Sequence, residues 1–356
     1  MLAVLIINHG TAAATQDCLD ALAAQLPADA HVHVLDNGSL AADVERLSNG
    51  LARHAARVTL SLSLKNLGFA GGMNLLLRQA LGDPAVDQVL LLNSDTAPKP
   101  GFVAAMRARL DPASHTDMVA ANLRNPRSGT ADSLGISLYR STLASNRKRE
   151  DEILLGPSGG CALFTRRLLE DLRASHGEWF DESFFCYAED TDLVLRARWL
   201  GYVPGYAADA LVDHAGSLSS GGPENDFVLY HGIRNSLWWL AKDAPAGWLL
   251  RSLPWFVLLH CGIVARHLRR GRARVLWHLY RDAVRGLPAM LRKRRRISAA
   301  RRVPTSEFRR WVEPHFYERD YVRRAWRELW LAKQPSSKDH HEDTKNTKEK
   351  PRRNSL

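Results

Sequence analysis

The feature that most constrains this chain is an alternation in its first hundred residues. Short β-branched or leucine-rich runs of strand length, Ala3–Ile7, Val32–Leu35, Val58–Leu62 and Val89–Leu92, are separated by amphipathic stretches such as Thr15–Leu26 and Ala41–Ala55. A strand–helix–strand rhythm of this kind builds a mostly parallel sheet with helices on both faces. The chain is therefore expected to be an α/β protein with a Rossmann-like sheet. Ligands of such sheets bind beyond the carboxyl ends of the strands. Three of the runs lead directly into polar or glycine-rich residues there: Asp36-Asn37-Gly38-Ser39, Asn66-Leu67-Gly68-Phe69-Ala70-Gly71-Gly72 and Asn93-Ser94-Asp95.

Each of these ends has chemistry suited to a nucleotide. Asp36, a carboxylate closing a buried strand, can accept the imide N–H of uracil or thymine while Asn37 and Gly38 turn the chain. Taken alone, the segment reads first as a plain Asx turn. The glycines after Asn66 stand at a strand-to-helix junction, where bare backbone can approach a ribose or diphosphate. A glycine turn made only for packing explains that segment equally well. Its spacing is neither a Walker A loop nor the dinucleotide fingerprint. Asp95 occupies an expected metal position, since Mg2+ or Mn2+ binds through one or two carboxylates plus substrate phosphates and would neutralise a diphosphate leaving group. The alternative is a cap for a helix over Lys99–Leu110, which Pro98 and Pro100 make awkward.

The middle of the chain carries a denser segment, Trp179 to Leu193. Asp181, Glu182, Glu189, Asp190 and Asp192 lie there among Phe180, Phe184, Phe185 and Tyr187, ahead of a helical pattern over Leu193–Leu200 that stops at Gly201. Carboxylates beside aromatic surface have altered proton affinity, and one can serve as a general base toward an acceptor hydroxyl. A helix dipole explains acids at a helix start, but not the acidic, aromatic segment before it. Val212-Asp213-His214 ends another apolar stretch. A lone histidine is more often structural, and His214 becomes a second metal ligand only if the fold brings it opposite Asp95. Arg234, in Tyr230-His231-Gly232-Ile233-Arg234-Asn235, reads as a fixed cation for a diphosphate or as part of a solvated helix face.

Charge divides the chain. Its net +11 over 356 residues is −6 up to Ala265, +15 from Arg266 to Lys333 and +2 beyond. A basic C-terminal element calls for an anionic partner. Trp248, Trp255, Trp277, Trp311, Trp326 and Trp330 interleave with arginines there, the pattern of amphipathic helices seated in a membrane interface. A helical cap packed on the body is the plainer alternative. Trp248–Ala265 is strongly apolar, yet short and broken by Arg251, so it is left open whether it inserts into a bilayer or lies on it. No nucleic-acid partner is expected: the body is acidic, and the basic part has neither zinc-ligand spacing nor an RNA-binding motif. The four scattered cysteines have no paired spacing, which fits a reducing compartment, and MLAVLIINHG reads as a first strand rather than a signal peptide. From Gln334 the chain is polar and aperiodic, and is expected to be disordered.

In their order along the chain, these segments resemble the inverting glycosyltransferases of glycosyltransferase family 2, in particular the rhamnosyltransferase-like members. The resemblance is carried by Leu5-Ile6-Ile7-Asn8, Leu35–Ser39, Asn66–Gly72, Leu91–Asp95, Gly159-Gly160-Cys161-Ala162-Leu163, Phe180–Phe185 with Glu189–Leu193, His214 and Arg234-Asn235. It implies a GT-A nucleotide-diphospho-sugar transferase fold with basic amphipathic helices appended. The expected organisation is a catalytic domain over 1–243, with a nucleotide-binding half (1–122) and an acceptor half (123–243), then a membrane-associating helical region (244–333) and a tail (334–356).

The resemblance also implies roles. Asp190 is the base, with Glu189 supporting it or contacting sugar; Asp95 and His214 hold Mg2+ or Mn2+. Asn8, Asp36, Asn66, Gly68, Phe69, Gly71, Asn74, Asn93, Ser94, Gly160 and Arg234 bind the donor, with Asp36 reading the base and Gly159-Gly160 lying under the donor sugar. Asp192 is closer to a helix-start residue. Two positions depart from the family pattern: Asn93, where the first position of the metal motif lacks a carboxylate in a form many relatives share, leaving Asp95 alone to bind metal directly, and Met73, where relatives often have asparagine. The implied partners are a nucleotide-diphosphate sugar donor, with dTDP-rhamnose the leading choice, a glycan or lipid-linked glycan acceptor, and an anionic membrane surface. The implied enzyme is a glycosyltransferase of the hexosyltransferase type, acting in cell-surface polysaccharide synthesis as a peripheral protein at the cytoplasmic face of the inner membrane. The alternatives are another sugar of the same family, GlcNAc, galactose or glucose, or a basic nucleic-acid-binding protein, the reading that the pI near 9.7 suggests.

Overall fold

The computed structural model describes residues 1–54, 56–214 and 225–319. Met1–Phe316 forms one compact unit. The segment after His214, the part of the basic region over 320–333 and the tail over 334–356 lie outside the described residues.

The alternation seen in the sequence becomes β1 (Leu2–Asn8), α1 (Ala12–Ala23), β2 (Ala30–Asn37), α2 (Ala41–Leu51), β3 (Val58–Ser63), α3 (Gly68–Ala80) and β4 (Gln88–Leu92). These strands are parallel in the order β3-β2-β1-β4. The apolar runs of the two inner strands, β1 and β4, are continuous because both faces are covered there. In β1, Ala3 and Leu5 face the core under α3, while Leu2, Val4 and Ile6 face the core under α1 and α2. In β4, Val89 and Leu91 take the first side, and Leu90 and Leu92 the second. Each fully buried side chain of this size contributes about 1.5–3 kcal/mol.

The winding order reverses at β1, which pairs with β2 on one side and with β4 on the other. That switch point opens a crevice at the strands' carboxyl ends. The rest of the sheet closes over it. A short β5 (Thr96–Pro98) and α4 (Phe102–Arg107) lead into β6 (Thr116–Arg124), β7 (Ala131–Ser133), β8 (Ile136–Tyr139) and β9 (Ala144–Asn146). Then β10 (Cys161–Thr165) inserts antiparallel between β4 and β6, pairing Cys161 with Leu92. After α5 (Arg166–His176) and α6 (Glu189–Trp199), β11 (Val203–His214) runs parallel to β6 and antiparallel to β5, which sets His214 opposite Thr96.

The structure departs from the sequence reading at two helices. The helix expected over Lys99–Leu110 is confined to Phe102–Arg107. Pro98 and Pro100 disfavour helix, Thr96–Pro98 joins the sheet instead, and Gly101 at φ +84° starts the helix. The apolar stretch read as Trp248–Ala265 is part of a longer helix, α8 (Ala246–Arg269), of 24 residues. By length and composition alone α8 is long and apolar enough to cross a membrane. It follows α7 (Asp226–Asp243) and precedes α9 (Ala273–Ala300), which packs along α7 and α5. A small second sheet, β12 (Val312–Glu313) with β8 and β9, completes the unit.

Candidate active site

A cleft of about 950 Å³ lies at the switch point. Its walls are the strand-end segments singled out in the sequence together with the acidic, aromatic segment before α6.

At the end of the cleft beside β2, Asn37 closes β2 and locks the loop that starts α3. Its Nδ2 donates to Asn66 Oδ1 (3.2 Å) and Gly68 O (3.1 Å), and its Oδ1 accepts from Leu67 N–H (2.9 Å). His9 spans the same corner, with Nδ1 at 3.1 Å from Asn37 O and Nε2 at 3.2 Å from Asn66 Nδ2. Two glycines make this closeness possible. Gly38 has φ +79°, and a Cβ there would lie 2.5 Å from Asn66 N. Gly68 has φ +70°, and a Cβ there would lie 2.4 Å from Phe185 O. Both positions exclude L side chains.

The metal position is assembled as a pair. β5 and β11 run side by side, so Asp95, just before β5, meets His214 at the end of β11. Its Oδ1 is 3.3 Å from His214 Nε2. His214 Nδ1 is in turn 2.6 Å from Asp132 Oδ2 on β7. Burial opposes protonation of His214, but the hydrogen bonds to Asp132 and Asp95 outweigh it and lift its pKa to about 9. The Asp132 carboxyl is held below its usual range, chiefly by the same hydrogen bond. Among the described residues, no group of three or more His, Cys, Asp or Glu side chains is arranged to hold an ion. A carboxylate and an imidazole oriented by a second carboxylate nonetheless fit a divalent ion that takes its remaining ligands from a diphosphate.

The carboxylates at the start of α6 are held by the turn before β10. Gly159 N–H donates to Asp190 Oδ2 at 3.0 Å, and Asn93 N–H donates to Gly160 O at 3.0 Å. One glycine pair thus joins the Asn93–Asp95 segment to Asp190. Burial raises the Asp190 pKa, and the bonds from Gly159 and Thr191 partly restore it. Glu189 is buried, one of its oxygens lacks a hydrogen-bond partner, and its pKa stands well above the usual carboxylate range through burial and the neighbouring Asp190.

The backbone leading to these acids is strained. Phe185 (φ +67°, ψ −67°) centres a three-residue turn closed by Cys186 N–H to Phe184 O at 2.8 Å, and Tyr187 and Ala188 have φ +67° and +64°. Such conformations cost about 1–3 kcal/mol each and persist only where surrounding structure imposes them. Here Asn235 Nδ2 donates to the carbonyls of Phe184 (2.9 Å), Cys186 (2.8 Å) and Tyr187 (2.7 Å), and Ala70 N–H donates to Phe185 O (3.1 Å).

Of the sequence-derived residues, Asn66, Gly68, Phe69, Asn93, Ser94, Asp95, Gly160, Glu189, Asp190 and His214 line the cleft. Five stand behind it. Asn8 is buried, and its Nδ2 donates to Asp36 (2.8 Å) and Asp43 (2.9 Å). Asp36 is buried and also accepts from Ser39 N–H at 3.0 Å. Gly71 lies within α3. Asn74 ties α3 to the acidic segment through Phe180 O and N–H and Glu182. Arg234, read as a cation for the diphosphate, is turned inward instead. It lies over the rings of Trp238 (4.3 Å) and Tyr230 (4.9 Å) and donates to Phe184 O at 3.2 Å. Among the described residues, no lysine or arginine lines the cleft.

Sequence reasoning missed Asp132, which lies outside every recognised segment. It also missed Lys242 and Lys293. Lys242 is buried between Asp181 (2.8 Å) and Asp192 (2.6 Å), Arg196 pairs with Asp192 (2.7 Å), and Lys293 of α9 reaches Asp181 (2.6 Å). Asp192 is accordingly part of a buried ionic cluster beneath the site.

A largely parallel sheet with helices on both faces, opened at its switch point and closed by an antiparallel β10, is the fold of the GT-A glycosyltransferases. Residues 3–173, just under half of the chain, match glycosyl transferase family 2. No curated protein matches the chain. Among solved structures, the fold is similar to a mannosyltransferase, PcManGT from Pyrobaculum calidifontis, in complex with GDP-mannose and Mn2+. The TM-score is 0.52 at 19% identity, over 84% of this chain and 85% of that one. It is also similar to GalNAc-T7 with UDP, GalNAc and Mn2+, with a TM-score of 0.52 at 12% identity. That match covers 68% of this chain but only 48% of the other.

Proposed function

We propose that this chain is an inverting family 2 glycosyltransferase that moves a sugar from a nucleotide-diphosphate donor to a hydroxyl of a glycan or lipid-linked glycan. The observation that carries this reading is the Gly159-Gly160 link, which puts Asp190 and the Asp95–His214 pair on one cleft. The matched family and the donors seen in the similar structures support it.

In this reading the nucleotide lies against His9, Asn37 and Asn66, and the diphosphate against Ser94 and Asp95. Asp190, its proton affinity raised by burial, takes the proton of the acceptor hydroxyl, which attacks the anomeric carbon from the face opposite the diphosphate. Configuration inverts, and one carboxylate suffices because the leaving group needs its charge met rather than a proton. Asp95 and His214, with Asp132 fixing the ring of His214, would hold Mg2+ or Mn2+, which supplies positive charge to the leaving diphosphate. With lysine and arginine missing from the described lining, that charge has few other sources. The donor sugar we propose is rhamnose, carried as dTDP-rhamnose, on the subgroup resemblance of the motifs.

The C-terminal helices support action at a membrane surface. Trp248, Ser252 and Leu259 turn α8 toward the protein, which leaves Leu250, Leu253 and Leu258 half or more exposed. On α9, Trp277, Val284 and Leu291 form an equally exposed stripe at seven-residue steps, beside the exposed Arg274, Arg285 and Arg292. Apolar surface of this kind flanked by arginine suits anionic lipid headgroups, a peripheral position at the cytoplasmic face of the inner membrane and a lipid-linked acceptor in cell-surface polysaccharide synthesis.

The test is a thermal-shift screen of nucleotide sugars with and without Mn2+, followed by turnover with the donor that binds. A donor that stabilises the protein only with metal supports the reading. If no nucleotide sugar raises Tm under either condition, the reading fails.

A further inference from the structure

The wall of the cleft beside Asp190 is built differently from the nucleotide end. The nucleotide end presents amides and hydroxyls: Thr11, Asn37, Asn66, Asn93 and Ser94. The wall beside Asp190 presents aromatic rings. Phe185 and Tyr187 come from the strained turn, and Phe227 comes from the first turn of α7. The three form one surface. Phe227 meets Phe185 and Tyr187 edge to face, each at 6.3 Å between centroids. His231 stacks behind Phe185 at 5.5 Å and tilts against Phe227 at 4.4 Å.

Packing alone does not account for this surface. Phe227 remains 40% exposed, and it faces a cleft rather than a core. The backbone that presents Phe185 and Tyr187 is in the left-handed region at both residues, held there by the Asn235 amide and by Ala70 N–H. Two elements distant in sequence, the start of α3 and the middle of α7, thus fix the turn that presents the rings. Strain imposed from both sides is expected where presentation serves a ligand.

The chemistry of the wall selects the ligand. An aromatic face binds the C–H face of a pyranose ring, apolar on one side with hydroxyls around its rim. The surrounding charges reject anions. Glu189 and Asp190 stand next to the rings, and Arg234 is folded under them against Trp238. His231 is held neutral near pH 7, since burial and the adjacent Arg234 lower its pKa to about 4. A phosphorylated acceptor would meet no positive group on this wall among the described residues.

We propose that Phe185, Tyr187 and Phe227 form an acceptor subsite for a neutral sugar ring, which places a ring hydroxyl at Asp190. This rests on the transferase reading for its position next to the base, but the binding of saccharide is a separate property and is tested separately.

The experiment uses the full chain with Tyr187→Leu and Phe227→Leu, which keep apolar volume and remove the ring face. Phe185 is left intact because it centres the three-residue turn and its carbonyl accepts from Ala70 N–H. Saturation-transfer NMR with methyl α-L-rhamnopyranoside and methyl hexopyranosides, without donor, reads ring contact directly. Transfer from aromatic protons to sugar ring protons is expected in the wild type, with glycerol phosphate giving none. Each variant should weaken saccharide binding by about three- to tenfold, the range for one aromatic contact. Both should retain the wild-type melting temperature in the absence of ligand. Equal binding in wild type and both variants overturns the subsite, as does stronger binding of glycerol phosphate than of any methyl glycoside. A protein that binds the saccharides here but no nucleotide sugar would leave this inference standing and refute the transferase reading.

Discussion

Gly159 N–H donates to Oδ2 of Asp190 at 3.0 Å, while Oδ1 of the same carboxylate accepts from Thr191 N–H at 2.7 Å. Both oxygens are aimed by backbone, and the side chain still borders the cleft. A general base needs such fixed direction, because proton abstraction depends first on geometry and then on pKa. Replacing Asp190 with Asn keeps one oxygen that can accept one of these two bonds, puts an NH2 that cannot accept at the other position, and removes the basic oxygen. The expected result is a fall in kcat of about 10²–10⁴-fold with donor affinity retained. Steady-state turnover beside a donor thermal shift checks it, and near-normal kcat in Asp190→Asn would remove the residue from the role.

The raised pKa of Asp190 sets a pH dependence. The base must be ionised to act, so kcat/KM should fall on the acid side as pH drops through that pKa. The fall should begin above the pH at which an ordinary aspartate titrates, about 3.9. An acid limb no higher than that of an ordinary aspartate would contradict a buried base.

Glu189 makes the opposite contribution to stability. Its folded-state pKa is raised, so the native protein holds that proton more tightly than the unfolded chain does. Ionisation therefore costs stability above the folded pKa, and the cost vanishes below the unfolded value near 4.3. Glu189→Gln should raise Tm at pH 7–8, by about 2–4 °C for each kcal/mol of ionisation cost removed. The difference from wild type should disappear near pH 4. Melting curves across pH distinguish this from a loss of packing, which would lower Tm at every pH.

Lys242 lies between Asp181 and Asp192, all three buried. Removing one member of a buried ionic cluster leaves uncompensated charge, so Lys242→Met should destabilise the protein by about 3–5 kcal/mol in urea unfolding. Burial disfavours the charged form of Asp181, but Lys242 and Lys293 outweigh it and hold its pKa far below the usual range. That contribution is present above the unfolded pKa and is lost only as pH falls through the much lower folded one. Lys242→Met should therefore unfold at a distinctly higher pH in acid titration than the wild type.

Much of this architecture was legible because its signals are local. The runs in β1 and β4 are apolar throughout since both faces of the sheet are covered there. Those in β2 and β3, toward the sheet edge, are interrupted by His33 and by Thr59 and Ser61, and the polar ends mark the crevice. Asp95, Asp190 and His214 could be placed on it because each terminates or follows a buried element. Roles that depend on rotamer were not legible. Arg234 read as a ligand-binding cation, but its side chain and that of Asn235 turn inward to hold carbonyls of a turn about 50 residues earlier in the chain. Asp132 gave no signal, because its partner His214 is 82 residues away and only the β6–β7 and β6–β11 pairings bring them together. The ionic cluster was equally hidden: Lys242 and Lys293 have the same pattern as solvated helix residues until the packing of α7 and α9 is known.

The Asp132–His214 contact makes a prediction of its own. A carboxylate on Nδ1 fixes the ring so that Nε2 faces Asp95, and loss of such a partner costs about 10–100-fold in metal affinity. Asp132→Asn should raise by that factor the Mn2+ concentration needed to produce the thermal shift, while leaving the metal-free Tm close to wild type. Chelation with EDTA should abolish both the shift and sugar transfer, and added Mn2+ should restore them. Transfer that persists in EDTA would refute a metal role for Asp95 and His214.

The exposed face of α8 and α9 gives the last prediction. A bilayer gains apolar area from Leu250, Leu253, Leu258, Trp277, Val284 and Leu291 and Coulomb attraction from the arginines beside them. The two contributions separate experimentally, because only the second is screened by salt. The full chain should float with vesicles containing anionic lipid, bind purely zwitterionic vesicles more weakly, and be partly released by high salt. Leu253→Glu with Leu258→Glu puts charge on the apolar face without touching the buried Trp248, Ser252 or Leu259, so flotation should be lost while Tm changes little. If the protein stays in solution beside anionic vesicles at low salt, the membrane position is wrong. If the same two substitutions instead convert a stable dimer to a monomer, the face is an interface between copies of the chain.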